Sequence, residues 1–488
     1  MGGARWWRLK EVHMKKSAVE FLFASFLSLS FVGFAENETG KNTFEAGFSQ
    51  AIITPERGLP LAGYFNPRPN EGVLDDLYVK CVLFRLGETV GGFVTLDTCI
   101  IEAETAENIL RRLKRSGFRH GNGLIVSAIH THTAPYTSKK RSKLTDPGYM
   151  EMLEKKTVET VLLAERNLAP ATLRLGVANN NPYAYNRRYW MKNGKVMTNP
   201  GKLNPEIVKP EGPVDRDIGV LAVEQNGRTV AVIANIVNHS DTVGLSLVSA
   251  DWPGRLARTV QNGLGYDIFV MTLAGCSGNI NHFDTSTGAN QTQYAEACRI
   301  GKGYGEIVLG QLNKLEPLKT DTLSVVSQDF AIPFRVLPKK MIDDAQDILA
   351  HVPARATTGD QTSEGLAKGD DQVLRYFSEQ VVAYPSSLKG KERIYKVVTL
   401  AIGDGFAATS LPGEPFTEIG LEIKKKSPVK NTWPVTLAMG SCGYVPLTAS
   451  FENGGYEIQP RKGGSPREDT AARMVEVSLK GLRQAAKR

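Results

Sequence analysis

The sequence predicts an α/β protein, a mixed β-sheet core flanked by helices. Three observations predict it. Short apolar runs of strand length alternate with longer segments of helical period. Three of those runs, 124–129, 229–238 and 268–274, stop at polar groups: His130, His239 and Gly275-Cys276-Ser277-Gly278. Strand ends are where α/β proteins place chemistry, because a rigid element holds the side chain while the following loop admits substrate. Finally, the composition is 41% hydrophobic and 23% charged, with 47 glycines and 25 prolines spread along the chain, which suits a loop-rich globular body rather than repeats or low-complexity tracts.

Taken in order, the first segment reads as an export signal. Lys15-Lys16 form a positive region, 21–34 an apolar stretch, and Gly33-Phe34-Ala35 a small-residue cleavage site. Met14 stands directly before the lysines, so the true start can be Met14. The expected division is a signal peptide over 1–35 and one catalytic domain over 36–488. Strands are expected at 48–53, 78–86 and 92–97, then a helix over 102–115 with Ile109, Leu110 and Leu113 on one face. A strand at 124–129 and a helix over 146–166 follow. Strands at 172–177 and 219–225 come next, the second closed by the hairpin turn Asn226-Gly227. After the runs at 229–238 and 268–274 come a long helix over 294–315, strands at 323–334, 393–402, 406–409 and 435–439, and helices over 338–349, 415–426 and 469–486. The polar, Gly-rich stretch 357–371 reads as a surface loop.

Charge and cysteine count narrow the function. Residues 1–35 hold five Lys/Arg and two Asp/Glu, so their removal takes the net charge from +8 to +5, with no long polybasic run; nucleic-acid binding is not implied. Five cysteines without CxxC spacing argue against a zinc knuckle or a disulfide scaffold. Beyond the export signal no stretch is long enough to span a bilayer, so no integral membrane segment is expected after its cleavage.

The chemistry concentrates at His130-Thr131-His132. Only seven histidines occur in the chain, and in an extended segment residues two apart share a face, so both rings can reach one pocket. Asn238-His239 supplies another imidazole. Glu414, in Pro412-Gly413-Glu414-Pro415, opens a predicted helix whose N-terminus would hold its carboxylate ionised. Two histidines and a carboxylate form a common catalytic zinc set that leaves a position open for water.

His130-Thr131-His132-Thr133-Ala134-Pro135, Asn238-His239, Ser249-Ala250-Asp251, Gly278-Asn279-Ile280-Asn281, Pro412-Gly413-Glu414 and Gly443-Tyr444 resemble, in order and approximate spacing, the catalytic domain of the neutral (non-lysosomal) ceramidases. The resemblance covers roughly residues 45–485 and implies that family's α/β fold and a zinc amidase chemistry. It implies His130, His239, Glu414 and Tyr444 as ligands of a Zn2+ ion. His132 would be an acid/base group beside the metal, Arg187 an oxyanion clamp, and Tyr456 a donor to the substrate carbonyl.

Two departures stand out. The family's Gly-Asp-x-Ser segment reads Gly278-Asn279-Ile280-Asn281, so both acid and hydroxyl are amides, able to donate to an oxyanion or sugar hydroxyl but unable to accept an acyl group. The chain also stops soon after its last predicted helix, without the family's C-terminal immunoglobulin-like domain. Both point away from ceramide. The expected function is a secreted or periplasmic zinc hydrolase cleaving an amide or ester. Its substrate is a small molecule or an oligosaccharide, and Arg187-Arg188, Trp190, Lys192 and Arg461-Lys462 suit an anionic one. The alternatives are a lyase or dehydratase acting on acidic, uronate-containing oligosaccharides, and a non-catalytic saccharide-binding homologue.

Overall fold

The structure, a computed structural model, describes residues 43–138, 143–354 and 370–487. The expected signal segment 1–35 and most of the expected loop 357–371 lie outside them. Lys41–Arg488 form one compact unit.

Three sheets repeat one topology. In the first, β1 (Glu45–Ile52), β2 (Tyr78–Leu86) and β3 (Thr89–Leu96) make an antiparallel meander, and β4 (Leu124–Ala128) joins β3 in parallel after helix α1 (Ala103–Arg115). The second sheet does the same with β5 (Thr172–Ala178), β6 (Ile218–Gln225) and β7 (Arg228–Ile236). Its parallel strand β8 (Phe269–Ala274) follows helix α3 (Asp251–Leu264), while α2 (Pro147–Arg166) lies between the two sheets in sequence. In the third, β9 (Leu323–Pro333), β10 (Glu392–Ile402) and β11 (Phe406–Ser410) are antiparallel. There β12 (Asn431–Val435) pairs in parallel with β11 after a helix at Thr417–Lys426. No sequence repeat announces this, because strand period and turn chemistry dictate a meander without requiring the same residues.

Period two explains how each sheet buries both faces. On β6, Leu221 and Val223 enter a core shared by all three sheets, while Val220 and Ala222 meet Trp252, Leu256 and Tyr304 of α3 and of α4 (Gln293–Leu312). On β10, Val398, Leu400 and Ile402 enter the shared core. Val397 and Ala401 face Ile419, Ile423 and Met474 instead. The sheets approach closely at Gly219, where a Cβ would lie 2.4 Å from the indole of Trp433, so a side chain there would drive the second and third sheets apart.

The remaining helices of ten residues or more among the described residues are α5 (Lys339–His351), α6 (Asp371–Val382), α7 (Thr417–Lys426) and α8 (Thr470–Ala485). Sequence reading missed α6, which begins at the end of the stretch taken for a loop, its N-cap Asp370 accepting a bond from the Gln372 amide. The strand expected at 435–439 ends at Val435 instead. Beyond it Leu437 and Met439 have positive φ, and the segment crosses to its neighbours: Thr436 N–H donates to Ala274, Leu437 N–H to Gly413, and Met439 N–H to Val126. This crossing gathers the ends of β4, β8 and β12 and the turn after β11 at one place. Among the described residues no helix is long and apolar enough to cross a membrane.

Candidate active site

The gathered strand ends form the floor of a cavity of about 660 Å³. His130 follows β4 with φ of 70°, a conformation costly for a side chain bearing a Cβ. Two bonds hold it. Its amide donates to the Thr98 carbonyl at 3.0 Å, and its Nδ1 lies 2.7 Å from the Cys99 carbonyl oxygen. A carbonyl can only accept, so Nδ1 carries a proton, and Nε2 faces His239 and Glu414. His239 follows β7. Its carbonyl accepts from the buried Trp252 indole at 2.7 Å and its amide donates to Asn238, which is itself bonded to Tyr183 and Tyr304.

Glu414 completes the group. His130 Nε2 lies 3.2 Å from His239 Nε2 and 3.2 Å from Glu414 Oε2, and His239 Nε2 lies 3.5 Å from that same oxygen. Burial pushes the Glu414 carboxyl up, but His130 and His239 hold it well below the usual carboxylate range. Burial lowers the His239 imidazole, and the Arg187 guanidinium lowers it further. An ionised carboxylate and two imidazoles at these separations match a tetrahedral zinc site, whose ligand–ligand edges at bonds of about 2.0–2.1 Å are about 3.3 Å long. Arg187 Nη1, 3.3 Å from His239 Nε2, points at the lone pair such an ion would take. Among the described residues the buried Glu414 Oε2 meets the two imidazole nitrogens and no other donor, which leaves it available to a ligand they share.

The carboxylate is not held as the sequence suggested. The helix begins at Thr417, not 415, and Glu414 sits in a two-residue parallel bridge opposite Tyr444. The first helical amide, Thr417 N–H, donates to Asn279 Oδ1 at 2.8 Å, so the α7 terminus is capped by an amide from the turn after β8. Asn279 Nδ2 donates to Glu418 at 2.9 Å, and Asn281 is divided between Asn199 Oδ1 at 2.8 Å and the Phe283 amide at 3.0 Å. Both asparagines are buried behind the cavity wall, and their side-chain amides are already bonded.

The other predicted residues share the cavity. His132 Nε2 is 3.3 Å from His130 Nε2. Its ring packs against Gly63, where φ is +102° and a Cβ would lie 2.5 Å from the imidazole, so only glycine fits. Burial, then the neighbouring His130, holds this imidazole well below its ordinary value. Arg187 is buried, donating from Nε to Glu457 at 2.9 Å and from Nη2 to the Gly278 carbonyl at 2.6 Å. Glu457 also receives Arg188 and Thr198, each at 2.7 Å. The Tyr444 and Tyr456 hydroxyls share a 2.6 Å hydrogen bond, and burial pushes Tyr456 up to about 12.

Among the cavity residues that sequence reading missed are Asp241 and Asn199. Asp241 lies 3.4 Å from Nδ1 of the buried His282, whose Nε2 donates to the Gln291 carbonyl. Its position two residues after His239 was the available signal. Asn199 shows only as an Asn-Pro turn, with φ of 49°.

No protein-family model matches the sequence, and no curated protein does. Solved structures do. Neutral ceramidase from Pseudomonas aeruginosa superposes with a TM-score of 0.67 at 16% identity over 92% of this chain and 75% of that one. A ceramidase complexed with C2 gives 0.66 at 15% identity over 90% and 75%. The chain therefore has a ceramidase-like α/β fold, shared with those enzymes at low identity.

Proposed function

We propose that the chain is an exported, metal-dependent hydrolase that cleaves an amide or ester bond of a small molecule. One observation carries this reading: His130 Nε2, His239 Nε2 and Glu414 Oε2 converge within 3.5 Å of one another, and His130 and Glu414 line the cavity. These three, with Tyr444 paired beside Glu414, would hold a zinc ion. When bound, such an ion polarises a carbonyl and lowers the pKa of water to about 7.

The chain's own residues supply the rest. His132, with Nε2 directed at the same floor, takes a proton from the attacking water and returns it to the leaving group. Arg187 cannot swing away, because Glu457 and the Gly278 carbonyl fix it, so its charge is preorganised for a developing oxyanion. Tyr456 adds a hydroxyl donor. Asn279 and Asn281 position rather than react, the first by capping the helix after Glu414 and the second by holding Asn199 at the cavity. The sequence of the first 35 residues supports export, and the cavity volume suits a small molecule.

Elemental analysis of purified protein together with a screen of N-acyl and O-acyl esters and amides tests this. One equivalent of a divalent ion and acyl release abolished by His239→Ala are expected. Acyl release by metal-free wild-type protein would end the proposal.

A further inference from the structure

The cavity holds three arginines, and they are not equivalent. Arg187 is paired with Glu457 at 2.9 Å and Arg335 with Glu468 at 2.7 Å. Arg461 has no carboxylate partner among the described residues. Its polar side-chain contact is a long one, Nη1 to the Tyr376 hydroxyl at 3.5 Å. The three carboxylates of the cavity are engaged elsewhere: Glu457 by Arg187 and Arg188, Glu414 by the two histidines, and Asp241 by His282.

Arg461 is nonetheless held in place. Its guanidinium lies 5.2 Å from the Phe377 ring centre and 5.9 Å from that of Tyr456. Its amide donates to Ser465 Oγ at 3.0 Å, the Gly464 amide returns to the Arg461 carbonyl at 2.8 Å, and Ser465 is tied by its carbonyl to Arg335. Phe65 and Tyr376, ring centres 4.6 Å apart, continue the aromatic wall. A half-buried cation fixed against aromatic rings, with no carboxylate on its fork among the described residues, is the arrangement that binds a planar or tetrahedral anion through paired N–H donors.

We infer that Arg461 is the anion-recognition residue of this cavity, and that the substrate carries a carboxylate or sulfate next to the bond that is cleaved. The inference rests on the hydrolase reading only for the place of the reacting bond. Tyr456 links the two regions, since its ring contacts Arg461 and its hydroxyl bonds Tyr444. Acidic sugars and N-acyl amino acids both present such a group, and the aromatic wall accepts the apolar body of either.

Calorimetric titration of the full chain with matched probes tests this: D-glucuronate against D-glucose, and N-acetylglycine against N-acetylglycinamide. At least one anion should bind about tenfold to a hundredfold more tightly than its neutral twin, and Arg461→Gln should erase that difference. Arg461→Lys should restore part of it, because the charge returns without the fork. The pair with the larger difference identifies the source of the anion. His239→Ala should keep the discrimination while losing metal and turnover, which separates this inference from the hydrolase reading. Equal affinities within both pairs, discrimination that survives Arg461→Gln, or discrimination that vanishes in His239→Ala would overturn it.

Discussion

Two sets of polar residues stand at the ends of buried apolar runs in this chain, and the fold treats them in opposite ways. Asn279 and Asn281 follow β8, and both amide groups of Asn279 and of Asn281 are bonded to the protein. His130, His239 and Glu414 follow β4, β7 and β11, and their inward atoms meet one another across 3.2–3.5 Å. Position at a strand end is therefore not enough to mark chemistry. What distinguishes the second set is that its inward atoms converge on one another, at separations that suit one shared ligand.

The largest effect expected from breaking this distinction is at His239. His239→Ala removes one corner of the cluster, and its cost in metal affinity should exceed the roughly 10–100-fold typical of a group that only supports a ligand. Metal content after dialysis measures it. Glu457→Gln comes next. It leaves Arg187 and Arg188 buried with half their charge uncompensated, and should destabilise by about 3–5 kcal/mol in urea unfolding.

Asn279→Ala should cost about 2 kcal/mol, because Thr417 N–H and the buried Glu418 lose their partner, yet metal content should stay at the wild-type level. A loss of metal as large as that of His239→Ala would show that the two sets differ less than their bonding indicates.

The smallest effect is a pH dependence away from the cavity. Burial raises the Asp97 carboxyl to about 6 although Lys80 pulls it down. Its folded value lies above its unfolded one of 3.8, so its contribution to stability is full below that value and lost as pH rises through 6. Lys80→Met removes the restraining charge and extends that loss. The melting temperature of the variant should track wild type at pH 4 and fall behind by the equivalent of about 1 kcal/mol at pH 8.

Much of the architecture was legible in the sequence because burial writes period two into strands and period 3.6 into helices. Helix α2, expected over 146–166, begins one residue later with Asp146 as its cap, accepting the Tyr149 amide at 2.6 Å. The segment after β12 was not legible, because Leu437 and Met439 are as apolar as strand residues and only their partners on β4 and after β11 force them out of extended geometry. Helix α6 was hidden by the polar stretch that runs into its cap.

The site divides the same way. His130, His132, His239 and Glu414 came forward as reactive side chains after apolar runs, and the resemblance to the neutral ceramidases added Arg187, Tyr444 and Tyr456. Only the tertiary structure decided which of their atoms face one another, and that the helix N-terminus meant for Glu414 belongs to Asn279. It alone left Arg461 unpaired beside two paired arginines among the described residues. The physical reason is that a chain's local pattern sets which residues are buried, whereas a hydrogen bond or an ion pair joins residues hundreds of positions apart and exists only once the sheets have closed on one another.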